Sequence, residues 1–277
     1  MKRKIGIFIS ILLILFWSLA PVYWALRTSL MSSSSLIQKP LKYLPYPINI
    51  ENYSQLLGFN SSQSIWPQFE SAMLNSIISA TGTTLIVIVI AILAGYAFGR
   101  LEFVGKNIIF VSVLVTMALP AYAVMIPLYK IIISLHLIDT QTGIILIYTS
   151  AFAPLAVWLM RSFFMTIPKD LEESAMVDGA SRFRALCTIL PMAAPGLIAV
   201  ALLTFLNSWS QFAIPLVFAP TNAKPLTILI TEFQGKSFIN YGLMTAAGIV
   251  TIIPPILIVL FLNRYLISGL TAGSVKG

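Results

Sequence analysis

Charged residues in this chain are spaced far apart, and the apolar runs between them set its organisation. Six runs reach membrane-spanning length: 22 residues between Lys4 and Arg27, 29 between Glu70 and Arg100, 23 between Lys106 and Lys130, 21 between Asp139 and Arg161, 39 between Arg184 and Lys224, and 27 between Lys236 and Arg264. A helix needs about 20 mostly apolar residues to cross the hydrocarbon of a bilayer. The run from Glu51 to Glu70 is full of Asn, Ser and Gln and reads as a loop. The fifth run is too long for one span, and Pro191, Pro195 and Pro220 punctuate it. Proline ends or kinks helices, so one helix is expected from Gly196 to Phe218, bent at its far end by Pro215. The pattern predicts spans over residues 5–26, 72–98, 107–128, 140–160, 196–218 and 240–263, with a polar connection over 161–195.

Composition narrows the solvent. Of 277 residues, 58% are hydrophobic and 9% charged, with a mean hydropathy of +0.92. A soluble domain carries about 25% charged residues, so neither a soluble enzyme nor a disordered chain fits. The fold class is an all-α membrane protein of six transmembrane helices in a single domain. Cys187 and His136 are the sole residues of their types, which excludes a disulfide framework and a Cys- or His-based metal site.

Charge sets the expected orientation. With the N-terminus in the cytoplasm, eleven of the seventeen Lys and Arg fall on the inner side, which places both termini inside. The net charge of +8 then reports topology and anionic headgroups rather than nucleic acid. Lys2-Arg3-Lys4 before an apolar run resembles a signal peptide, but Pro21 spoils the Ala20 cleavage site and the run is long, so an uncleaved first span is expected.

What the spans lack restricts the mechanism. None contains Asp, Glu, Lys, Arg or His. Transporters driven by ion gradients place ionisable groups there, so uphill transport by this chain needs another energy source. Gly235-Lys236-Ser237 matches the end of a phosphate-binding loop, but Ile230 stands where its first glycine belongs. No catalytic motif is present, so no catalytic residue and no cofactor is expected in the chain. Gly95 and Gly99 form a G-x-x-x-G pair suited to close helix packing.

The densest charge lies between Lys169 and Asp178, in the polar 161–195 connection. Asp170, Glu172 and Glu173 suit the first turns of a helix, where carboxylates meet the positive end of the dipole. Gly179 can stop that helix with a positive φ, and Ser181 can cap a second one. The expected form is a helix–glycine–helix elbow with a small apolar face, on Leu171 and Ala175, and an acidic edge. By itself such an elbow is either a solvated loop or a docking element.

Glu172-Glu173-Ser174-Ala175, followed by Asp178-Gly179-Ala180, resembles the EAA loop of binding-protein-dependent ABC importer permeases. Glu173, Ala175, Gly179 and Ile189 fall on the pattern; Ser174 replaces its middle alanine, and Pro191 arrives one residue early. Asn52-Tyr53, Asn75-Ser76, Ala94-Gly95-Tyr96-Ala97, Pro127-Leu128-Tyr129, Asn207-Ser208-Trp209 and the tail from Gly269 to Gly277 are similar to the smaller permease subunit of maltose-type importers. The resemblance implies the type I importer permease fold in a bacterial or archaeal cytoplasmic membrane. It implies a second permease subunit, a cytoplasmic ABC ATPase dimer holding ATP and Mg, and an extracytoplasmic solute-binding protein. It assigns Glu172, Glu173, Ala175, Asp178 and Gly179 to ATPase coupling. Asn207, Ser208, Trp209 and Gln211 form a polar and aromatic cluster in the fifth span that suits either a sugar path or interhelical hydrogen bonds. The loop from Pro220 to Asn240 is expected to face the binding protein.

Overall fold

Helix is the form in which a backbone satisfies its own hydrogen bonds inside a bilayer, and this chain uses it throughout. The computed structural model describes residues 2–59, 64–235 and 239–274. In chain order the helices are α1 (Lys2–Ser29), α2 (Ser33–Leu36), α3 (Glu51–Leu56), α4 (Trp66–Arg100), α5 (Lys106–Val115), α6 (Ala121–Ser134), α7 (Gln141–Thr166), α8 (Asp170–Val177), α9 (Arg182–Ile189), α10 (Ala194–Trp209), α11 (Ala213–Phe218), α12 (Leu226–Glu232) and α13 (Tyr241–Ser274). Lys236, Ser237 and the last three residues of the tail motif lie outside the described residues.

Among the described residues five stretches are long and apolar enough to span a membrane: Lys4–Ser29, Trp66–Arg100, Gln141–Thr166, Arg182–Trp209 and Tyr241–Leu262. A sixth is formed only if Lys106–Ala118 and Tyr122–Ser134, bent by 105°, count as one. The stretch expected to span over 107–128 is here two helical segments. Pro120 is the cause: it forces Leu119 into an extended conformation, with φ −71° and ψ 131°, and the second segment starts afresh behind it.

The expected fifth span is also shifted. α9, a 3-10 turn over Leu190–Ala193 and α10 follow one another closely enough that Arg182–Trp209 has the length and apolar character of a span, with its charges, Arg182 and Arg184, confined to the α9 end and α10 free of them. Pro191 and Pro195 sit in the first turns of their segments, where a missing N–H costs nothing. The real interruption comes at Ser210–Phe212, ahead of α11.

The chain groups into two units, Met1–Leu74 with Pro225–Pro254, and Asn75–Lys224 with Pro255–Gly277. In the first, the turn after α1 is tied down from α3. Asn52 donates from Nδ2 to the carbonyls of Ser29 (2.9 Å) and Met31 (3.3 Å), and the Ser29 and Tyr53 hydroxyls meet at 2.8 Å. A Cβ on Gly242 would lie 2.6 Å from Asn52 Nδ2, so a larger residue there would displace the Asn52 amide from these carbonyls. Most of the apolar surface of α1 is exposed.

In the second unit, Val87, Ala91, Tyr96, Ala156, Met160, Phe164, Leu186, Ile189 and Val200 build one core that joins α4, α7, α9 and α10. The G-x-x-x-G pair of α4 lies against α7: a Cβ on Gly95 would meet Met160 Cβ at 2.7 Å and the Arg161 nitrogen at 3.1 Å. An apolar cavity of about 710 Å³, bordered by Phe98, Met117, Met125 and Val157 among others, lies between α4, the bent α5–α6 pair and α7.

Candidate functional site

The elbow forms as its residues direct. Asp170, Glu172 and Glu173 occupy the first turn of α8. Gly179 closes it at φ +85°, a conformation most residues avoid. Ser181 caps α9, its hydroxyl accepting from the Arg184 amide at 3.4 Å. Ala185, Leu186 and Ile189 on α9 are buried and tie the elbow to the core. The opposite surface is open. Glu173, Asp178 and Gly179 are exposed, Ala175 is half-buried, and Leu171, Met176, Val177 and Phe183 present apolar surface, with Val177 87% exposed.

Glu172 departs from the expectation of an outward contact. It is only 7% exposed. One carboxylate oxygen accepts a hydrogen bond from the Tyr96 hydroxyl. The other lies 3.6 Å from Nε of Arg100, whose side chain is buried. Arg100 also donates from its guanidinium to the carbonyl of Ile167 at 2.5 Å, and Arg161 of α7 donates from Nε to the carbonyl of Phe98 at 3.2 Å. The physical reason is helical geometry: successive residues diverge by about 100°, so Glu172 and Glu173 cannot face the same way. Tyr96 and Arg100, four apart on α4, do share a face and receive Glu172 together.

The second predicted cluster is not gathered in one place. Asn207 is exposed and donates to the Leu203 carbonyl at 2.7 Å. Ser208 is buried, and its hydroxyl has no hydrogen-bond partner. Trp209 is buried and stacked on Phe205, ring centres 5.6 Å apart. Gln211 lies past the end of α10. At 6% exposure Trp209 offers no free face to a solute until its surroundings open.

One polar site escaped the sequence reading. At the end of the second unit far from the elbow, Asp139 adopts φ +56° and accepts from the amides of Thr221, Asn222 and Ala223 and from Asn222 Nδ2, at 2.8–3.2 Å. Asn75 donates to the carbonyls of Asn222 and Lys224, both at 2.9 Å, and accepts from Gln141 at 2.6 Å. Asn75 of α4, the start of α7 and the loop after α11 are thereby latched together. Aspartate is among the few residues that tolerate positive φ, but its partners lie more than 80 positions away and left no local signal.

No group of three or more His, Cys, Asp or Glu among the described residues is arranged to hold a metal. Residues 87–271 match the family described as "Binding-protein-dependent transport system inner membrane component". The chain is 32% identical to the sulfoquinovosyl glycerol transport system permease protein of Agrobacterium fabrum, covering 98% of this chain and 93% of that protein. It is 34% identical to the trehalose/maltose transport system permease protein of Thermococcus litoralis, over 99% and 98%. Its fold matches a crystal structure of a bacterial ABC transporter involved in the import of the acidic polysaccharide alginate. The TM-score there is 0.80, with 22% identity, and the match covers 95% of this chain and 97% of that one. The relatives are transport permeases rather than enzymes, and their likeness runs along nearly the whole sequence. The chain thus belongs to the family of binding-protein-dependent transport system inner membrane components, as a multi-pass permease of the cytoplasmic membrane.

Proposed function

We propose that this permease imports a sugar or sugar-like solute, paired with a second permease subunit and driven by a cytoplasmic ABC ATPase that docks on the α8–α9 elbow. Both termini then face the cytoplasm, as the distribution of Lys and Arg favours. The ATPase supplies ATP and Mg, and an extracytoplasmic binding protein delivers the solute. ATP binding closes the ATPase dimer, draws the paired elbows together and turns the spans from inward-facing to outward-facing.

One observation carries this reading. The elbow exposes Glu173, Asp178, Met176, Val177 and Phe183 above a buried footing of Ala185, Leu186 and Ile189. Exposed apolar groups rimmed by charge outside the spans mark a surface made for a protein partner. Glu173 and Asp178 supply charged contacts, Ala175 fits a tight cleft and Gly179 holds the bend. A sugar class is supported by the two relatives, whose names specify glycosidic solutes. Asn207, with the unpartnered hydroxyl of Ser208 behind it, is the candidate lining of the path; Gln211 and Trp209 join it only if the break at Ser210–Phe212 rearranges.

The test is reconstitution of the complete importer in proteoliposomes with Glu173→Lys in this chain. Solute-stimulated ATP hydrolysis should fall by roughly tenfold or more, since reversing a charge at a docked contact costs a few kcal/mol. Unchanged stimulation and unchanged copurification with the ATPase would overturn the docking role. Solute flux through this chain without the ATPase would identify a facilitator instead.

A further inference from the structure

The two adjacent glutamates of the elbow do different jobs. We propose that Glu172, held by Tyr96 and Arg100, is a positioning residue that transmits elbow movement to α4, while Glu173 makes the contact outside. This rests on the elbow being the ATPase dock.

Glu172 is 7% exposed, and its carboxylate is engaged on both oxygens by one helix. A docking partner therefore cannot reach it without unseating it. Burial of a carboxylate is unfavourable unless hydrogen bonds and an opposite charge compensate, and Tyr96 and Arg100 supply one of each. Their location matters. Tyr96 and Arg100 occupy the last turns of α4, the long helix that continues away from the elbow through the apolar region. The elbow is otherwise joined to the core through α9, by way of Ala185, Leu186 and Ile189. α8, which carries Glu173, has one inward polar attachment among the described contacts, and that is Glu172.

A load applied at Glu173 thus passes through a single turn of α8 into Glu172 and then into α4. Arg100 braces the same junction by its bond to the Ile167 carbonyl, just before α8 begins. Gly95 and Gly99 press α4 against Met160, Arg161 and Phe164, so displacement of α4 carries α7 with it. The pair Glu172–Arg100 sits at 3.6 Å, in ion-pair range but too long for a hydrogen bond through Nε. Its attraction therefore tolerates small adjustments of angle, which suits a joint that moves.

The experiment compares Glu172→Gln, Glu172→Asp, Tyr96→Phe and Glu173→Lys in the reconstituted importer, with two readouts: copurification of the ATPase, and solute transported per ATP hydrolysed. Glu172→Gln and Tyr96→Phe should retain the ATPase and lower transport per ATP by roughly tenfold, a typical size for a coupling between sites. The double variant should lose no more than the worse single one, because both act on one joint. Glu172→Asp, which keeps the charge, should recover part of the loss. Glu172→Gln that transports as the unaltered protein does, or that sheds the ATPase as Glu173→Lys does, overturns the proposal. If Glu173→Lys keeps both ATPase and coupling while Glu172→Gln uncouples, the docking assignment fails and the joint stands. Should Glu172→Gln reduce the membrane-inserted amount, Tyr96→Phe alone decides, since it removes one hydroxyl and leaves the ion pair in place.

Discussion

Glycine at three positions shows how differently one residue type is used. Gly179 has open space where a Cβ would go, so its requirement is the positive φ alone. Gly95 has ordinary helical backbone but no room, with Met160 Cβ and the backbone of α7 within 3.1 Å. Gly99 is looser, its nearest neighbour at 3.3 Å. Gly179→Ala should therefore cost about 1 kcal/mol of local stability. Gly95→Ala should cost more, about 1–3 kcal/mol, because helices must separate. Gly99→Ala should fall below Gly95→Ala. Thermal unfolding in detergent would rank them, and an equal effect of Gly95→Ala and Gly99→Ala would contradict the packing described. The G-x-x-x-G spacing was legible in the sequence; which of its two glycines is the tighter was not, because that depends on Met160 and Arg161 more than 60 positions away.

Elements that depend on local chemistry were read more faithfully than those that depend on their neighbours. The elbow followed from an acidic first turn, a glycine stop and a serine cap, all within fifteen residues. The bent pair α5–α6 did not, although Pro120 was visible, because proline within a span is tolerated when neighbours satisfy the freed backbone. The prolines near α10 misled in the opposite direction: they begin segments rather than break them. The latch at Asp139 had no sequence signal beyond the residue itself, yet it fixes the loop that is expected to face the binding protein. Asp139→Ala would leave three loop amides without their acceptor and introduce a residue that resists positive φ. A loss of about 2 kcal/mol follows, seen as a lower melting temperature and faster proteolysis between Pro220 and Lys224. Asp139→Asn, which tolerates the same φ, should retain part of it. Identical melting curves for Asp139→Ala and the unaltered protein would refute the latch.

Across the whole molecule, four of the six charge-free runs fall on single helices of spanning length among the described residues, because the cost of an ionisable group in hydrocarbon is large and needs no tertiary detail to act. Tertiary detail is what turned Glu172 inward, and composition cannot supply it. The single cysteine offers a test of the expected topology without added labels. Cys187 is exposed on α9, beside the proposed dock. A membrane-impermeant maleimide should modify it in inside-out vesicles and leave it untouched in sealed right-side-out cells. Modification from the outer side would reverse the orientation, and with it the proposed place of the ATPase. Bound ATPase should slow the reaction if α9 lies within its footprint.

The neighbouring glutamates of α8 set a rule for how this segment can diverge. Each residue added or removed within the first turn of α8 would turn the residues that follow by about 100° relative to its anchorage. The inward carboxylate would then swing out, and its neighbour would swing toward Arg100. Exchange of side chains on the outer surface leaves this register intact. Variation in the elbow is therefore expected as substitution at constant length, with insertions and deletions displaced to the connections on either side.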